Sequence, residues 1–230
     1  MIASTLPTTT DLDTCLLADR PGLRRRLRSL RQRLDRGQPI AEGLARRPHF
    51  APLLDEETID LLCKSAPLHD IGKIGVADRV LLKPGRLTED EYEEIKQHTR
   101  FGREAIERAV QFYGGEVQHS FLQFGKEMAY SHHEHWDGGG YPEGLRGEAI
   151  PLCGRIMAIA DVYDALICRR RYKPSFTHEE AVALIEQGGG THFDPQLTEV
   201  FLERQEVFRR IAREFPDEEH SDQATAATGG

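Results

Sequence analysis

Apolar positions recur with a helical period along most of this chain. Leu23, Leu27, Leu30 and Leu34 fall at helical spacing, with arginines on the other faces and Gly37 closing the segment. A connector containing glycine and proline is expected over 37–52. Asp55 stands where it can cap a helix whose inner face is Ile59, Leu62, Cys63 and Ala66, and Pro67 kinks or ends that helix. Thr88 with Glu91 makes a capping box for a helix through Tyr92 and Ile95 to His98. Residues 103–112 are read as helical, and 121–133 as another helix with Met128 and His132 on one face. The stretch 151–168 is strongly apolar, so that Ile156, Ile159, Ala160, Tyr163 and Leu166 surround Asp161. Thr177 with Glu180 forms a second capping box, and glycines at 188–190 end that helix. Asp194-Pro195 opens the last one, with Leu197, Val200, Phe201, Phe208 and Ile211 facing inward. No strand pair and no internal repeat is found, so the predicted fold class is all-α.

Composition narrows the function classes. The 230 residues suffice for one good core with tails, and 39% hydrophobic with 30% charged residues marks a globular chain. Residues 1–20 and 216–230 lack periodicity and are expected to be disordered tails. The expected division is a tail over 1–20, an Arg/Leu-rich helical segment over 21–47, the main domain over 48–215, and an acidic tail. No run approaches a membrane span, and the opening MIASTLPTTT has no apolar core of a secretion signal. Cys15, Cys63, Cys153 and Cys168 are scattered without Cys-x-x-Cys spacing, which predicts reduced thiols in a cytoplasmic protein. A net charge of −8 argues against a nucleic acid polymer as partner, although a small phosphate ligand depends only on local cations.

Candidate chemistry concentrates in 131–142, Ser-His-His-Glu-His-Trp-Asp-Gly-Gly-Gly-Tyr-Pro. Neighbours on a helix point about 100° apart, so His132 and His133 can converge only at a helix C-terminus, where the backbone turns. The glycines let the chain pass close to a ligand. His69-Asp70 follows the break at Pro67 inside an apolar stretch, and Asp161 sits midway along an apolar helix. Buried carboxylates of this kind are costly unless paired, and a cation solves the problem. His69, Asp70, His98, His132, His133 and Asp161 together offer four imidazoles and two carboxylates without a thiolate. That set suits iron, manganese or zinc, and six ligands fit two metals sharing a carboxylate, with Asp70 as the natural bridge. Tyr141 is expected to pack against the site or offer its hydroxyl to a guanine. Glu134 and Asp137 are read as holding the loop in shape. His49, His119, His135, His178 and His220 are expected to be exposed, and His192 to be structural.

His69-Asp70 with Lys73, His98, His132-His133-Glu134, Asp137-Gly138-x-Gly140-Tyr141-Pro142 and Asp161 together resemble the HD-GYP subgroup of HD-domain phosphohydrolases. The passages Leu81-Leu82-Lys83-Pro84-Gly85 and Gly190-Thr191-His192-Phe193-Asp194-Pro195 extend the resemblance over roughly 48–213. It implies an HD-domain helical bundle with additional C-terminal helices, and hydrolysis of cyclic di-GMP to pGpG or GMP in bacterial second-messenger signalling. It makes His69, Asp70, His98, His132, His133 and Asp161 metal ligands, with Asp70 and Lys73 catalytic. It also gives Lys73, Tyr141, Arg170 and Lys173 contacts to the substrate. The implied cofactors are two divalent metals, iron or manganese ahead of zinc. The implied partners are the cyclic dinucleotide and a diguanylate cyclase or other signalling protein. One departure stands out. The family carries a further His on a helix before the His-Asp pair, whereas residues 1–48 here contain no histidine and only one glutamate, Glu42. One metal is therefore expected to be held weakly. The alternative reading is a degenerate module that binds cyclic di-GMP or a signalling protein without turnover.

Overall fold

A computed structural model describes residues 37–112, 121–168 and 176–214. Helices carry the fold: α1 (37–44), α2 (Glu56–Ser65), α3 (Asp78–Leu81), α4 (Glu89–Lys96), α5 (His98–Phe112), α6 (Phe121–Ser131), α7 (Leu152–Ile167), α8 (His178–Gln187) and α9 (Pro195–Glu214). Short 3-10 turns at Ala66–Leu68 and Ile71–Gly75 join α2 to α3. Among the described residues the one strand-like pairing is an isolated bridge between Gly189 and Phe193, so the all-α expectation holds.

Local chemistry starts the helices where the sequence indicates. Asp55 accepts from the Thr58 amide at 2.8 Å to open α2, and the Thr88–Glu91 and Thr177–Glu180 boxes close reciprocally at α4 and α8. Asp194 Oδ1 accepts from Gln196 N at 2.8 Å to open α9. Two helix ends differ from expectation. The helix read over 121–133 stops at Ser131. The segment over Tyr92 and Ile95 stops at Lys96, and His98 begins α5 after a break at Gln97.

The core centres on α7, where thirteen of sixteen residues are buried. A helix apolar on all sides must be covered all round, and α6, α8 and α9 pack against it. Tyr163 of α7 meets Phe201 and Phe208 of α9 edge-on, with ring centroids 5.8 and 5.1 Å away. The expected connector over 37–52 is corrected at its start. Residues 37–44 are helical because Ile40, Ala41 and Leu44 share one face, and all three are fully buried in this core. Gly43 permits the close approach of α9, since a Cβ there would lie 2.4 Å from Val200 Cγ1. The Arg/Leu segment 22–36 lies outside the described residues.

Candidate metal centre

Four separate segments deliver the candidate ligands to one place. Helix α6 ends at Ser131, and His132 and His133 follow in the turn beyond it, as the sequence requires for two adjacent rings to converge. His98 opens α5. His69 and Asp70 lie between the two 3-10 turns, and Asp161 sits in mid-α7. The turn Ile71–Gly75 packs hard against α5: a Cβ on Gly72 would stand 1.9 Å from the His98 carbonyl oxygen, so only glycine admits this approach.

Backbone carbonyls set the direction of three imidazoles. His69 Nδ1 lies 2.7 Å from Ala66 O, His98 Nδ1 2.8 Å from Ile95 O, and His132 Nδ1 2.8 Å from Met128 O. A carbonyl only accepts, so in the neutral ring Nδ1 carries the hydrogen and Nε2 is a bare lone pair. Those lone pairs are aimed at other acceptors. His98 Nε2 and His132 Nε2 are 3.5 Å apart, and His69 Nε2 is 3.3 Å from Asp70 Oδ2 and 3.5 Å from Asp161 Oδ1. Asp70 Oδ1 faces His98 and His132 at 3.8 and 3.9 Å, so the two oxygens of Asp70 address two different donor groups. Lys73 Nζ donates to Asp70 Oδ2 at 2.7 Å.

Burial keeps the His98, His132 and His133 rings neutral. It pushes His98 down to about 4 against the partial pull of Asp70, and His132 down to about 3, with His69 and His98 adding to the effect. His133 falls well below the ordinary range for the same reason. Its Nε2 is buried and has no hydrogen-bond partner among the described residues. Ligand nitrogens of His98, His132 and His133 lie within 4.8 Å of one another. Converging lone pairs and carboxylate oxygens without hydrogens between them repel, and a divalent cation among them removes the repulsion. The donor set therefore fits a metal.

The loop behind the ligands is held by its own side chains. Glu134 accepts from the amides of Glu143 and Leu145 at 2.8 and 2.9 Å, and Asp137 from Gly139 at 2.8 Å, which bears out their reading as loop supports. Gly140 passes so near that a Cβ would lie 2.4 Å from His133 O. Tyr141 is buried and stacks on His133, with centroids 4.8 Å apart and planes 23° from parallel. The turn 188–194 docks on this loop through Trp136 N to His192 O at 3.0 Å and Asp137 N to Thr191 O at 2.9 Å, so His192 is structural.

Some side chains escaped the sequence reading. His135, expected to be exposed, is buried and tilted over His192 at 3.9 Å, because the docked turn covers it. His178 is half-buried with Nδ1 2.7 Å from the Tyr163 hydroxyl. Arg155 of α7 pairs with buried Asp194 at 2.7 Å and lies over Trp136, tying α7 to both loops. A lone arginine in the apolar α7 pattern was the available signal. His49 is exposed as expected. Arg170, Lys173, His119 and His220 lie outside the described residues.

With this geometry in view, comparison with known proteins is decisive. A family profile described as HD domain matches residues 16–197. The chain belongs to the HD-domain family. Its relatives agree with the HD-GYP type. It is 53% identical over 178 residues to a "Cyclic di-GMP phosphodiesterase" of Vibrio cholerae, an alignment covering 77% of this chain and 36% of that protein. It is 40% identical over 215 residues to the "Cyclic di-GMP phosphodiesterase response regulator RpfG" of Xanthomonas campestris, covering 89% and 55%. This HD-domain chain thus spans about a third to a half of the length of these relatives. In fold it is similar to the crystal structure of a cyclic GMP-AMP specific phosphodiesterase of V. cholerae, with TM-score 0.50, 22% identity, and coverage of 91% of this chain and 53% of that one. No described helix of this HD domain is long and apolar enough to cross a membrane.

Proposed function

We propose that this chain is a metal-dependent phosphodiesterase that hydrolyses cyclic di-GMP to pGpG or GMP in bacterial second-messenger signalling. The observation that carries the proposal is the convergence of imidazole lone pairs with both oxygens of Asp70, beside Asp161. Relatives named for this activity support the choice of substrate.

The reading assigns one metal to His98, His132, His133 and Asp70, and a second to His69, Asp161 and Asp70. Nitrogen and oxygen donors without sulfur suit iron, manganese or zinc, and the resemblance to the HD-GYP subgroup puts iron or manganese first. Metals bound there supply Lewis-acid neutralisation of phosphate charge and an acidified water. The chain's own groups do the rest. Neutral imidazoles keep their lone pairs for ligation, because burial excludes the competing proton near neutral pH. Asp70 is held by Lys73, whose ammonium remains beside the carboxylate to meet negative charge building on the phosphodiester. Arg170 and Lys173 are assigned to the substrate phosphates, and Tyr141 to the edge of the substrate pocket. The reading implies work in the cytoplasm, where the scattered cysteines stay reduced, and a diguanylate cyclase or other signalling protein as partner.

Incubation of the purified protein with cyclic di-GMP and Fe(II) or Mn(II), followed by separation of the nucleotides, should yield linear product. Asp70→Asn should abolish turnover, a loss of at least about a hundredfold, since an amide is a poor bridge between cations. No product with either metal would overturn the function, and full activity of Asp70→Asn would overturn the bridging role.

A further inference from the structure

His133 differs from the other candidate ligands in how its ring is held. His69, His98 and His132 each have a backbone carbonyl on Nδ1. Among the described residues, His133 has no such carbonyl. Its neighbours are aromatic faces: Tyr141 stacked at 4.8 Å and 23°, the His98 ring edge-on at 5.1 Å, and the His132 ring at 4.0 Å. Two of those rings belong to fellow candidate ligands, so among these described neighbours Tyr141 is the group outside the ligand set that can fix the His133 plane.

Tyr141 is itself in contact with α4. Tyr92 of α4 meets it edge-on with centroids 6.4 Å apart. Lys96, at the end of α4, places its ammonium 5.3 Å from the Tyr92 centroid and 5.6 Å from the Tyr141 centroid. The Glu93 carboxylate keeps that ammonium in place at 2.5 Å. A cation over an aromatic face is attracted by the ring quadrupole, and more strongly when partly desolvated. Lys96 is desolvated in this way, with 22% of its side chain exposed. The contacts thus run from His133 to Tyr141 and from Tyr141 to Tyr92 and Lys96.

We propose that Tyr141 is a positioning residue for His133, taking the place of the missing carbonyl, and that Lys96 and Tyr92 clamp it. This rests on the reading that the site holds a divalent metal. The aromatic ring carries the role, and the hydroxyl is left for other contacts. Outer groups that orient a ligating histidine commonly change metal affinity about 10- to 100-fold when removed.

The test is Co(II) binding to chelator-stripped protein, read by equilibrium dialysis and by the visible ligand-field spectrum, neither of which needs turnover. Tyr141→Phe keeps the ring and should bind Co(II) like the wild type, with any effect of the lost hydroxyl confined to KM. Tyr141→Leu should weaken Co(II) binding about 10- to 100-fold and alter the spectrum. Lys96→Met should weaken binding about two- to fivefold, and Lys96→Arg should restore it, since guanidinium also sits on aromatic faces. Circular dichroism of each variant reports whether it folds. If Tyr141→Leu does not fold, the Lys96 pair decides. Wild-type affinity and spectrum in Tyr141→Leu or in Lys96→Met would overturn the proposal, as would equal losses in Tyr141→Phe and Tyr141→Leu. Failure of the wild type to bind Co(II) at all would instead remove the metal reading beneath it.

Discussion

At the scale of single residues, the site depends on histidines that refuse protons. Burial depresses His98 to about 4 and His132 to about 3 from an ordinary 6.5, and lowers His133, His135 and His192 as well. Between these folded values and 6.5, the unfolded chain binds protons that the folded chain does not. Stability of the metal-free protein therefore rises with pH through that window and falls on acidification. For His98 alone the difference is on the order of 3 kcal/mol across the full window. Glu134, raised by burial, works in the opposite sense, because its protonation on acidification relieves a cost. Calorimetry of stripped protein from pH 7 to pH 5, above most of the carboxylate range, should show a falling midpoint; a flat profile would mean that the imidazoles are charged in the fold. Much of this was legible in the sequence. His132 and His133 were expected at a helix C-terminus, and they follow one, in the turn just beyond Ser131. The burial of His135 was not legible, because it depends on a turn 53 to 59 residues further along the chain docking over the loop.

At the scale of elements, what positions the ligands is close contact between backbones. Capping boxes gave the starts of α4 and α8 from four-residue patterns, since such signals are local. The approach of Ile71–Gly75 to α5 is not local, and nothing in the spacing of apolar residues marks Gly72 as its contact point. A Cβ there would meet His98 O at 1.9 Å and Gly102 N at 2.3 Å, both backbone atoms that cannot swing aside. Gly72→Ala should therefore push Asp70 away from His98, lowering the melting temperature by several degrees and reducing metal content. Gly75→Ala is the natural comparison, because its Cβ would meet the Phe101 ring at 2.7 Å, a partly exposed side chain able to turn away. It should keep its metal. If Gly72→Ala binds metal as the wild type does, the tight approach is not what sets the spacing of Asp70 and His98.

At the scale of the whole molecule, the fold joins two unequal donor groups through Asp70. Among the described residues, three imidazoles converge on one side, whereas on the other His69 stands with Asp161 and Asp70. A small gap between α1, α2, α6 and α7 is lined by apolar side chains and Cys63, with no ligand of histidine or carboxylate type among them. The two residues best placed in sequence to supply one are engaged elsewhere. Glu42 is exposed and accepts from Gln38 Nε2 at 2.8 Å, and His49 is exposed beside Glu148 at 3.7 Å. Arg155 and its pairing with Asp194 hold α7, and with it Asp161, against both loops. The expected consequence is one metal retained and one that exchanges. Elemental analysis after extended dialysis should find close to one metal per chain, and adding free metal should restore turnover in a saturable way. Arg155→Met should leave the first metal in place and raise the free-metal concentration needed for half-maximal turnover several-fold, because Asp161 would then be less firmly held. Two metals per chain after dialysis, with turnover indifferent to added metal, would mean that another group completes the second set.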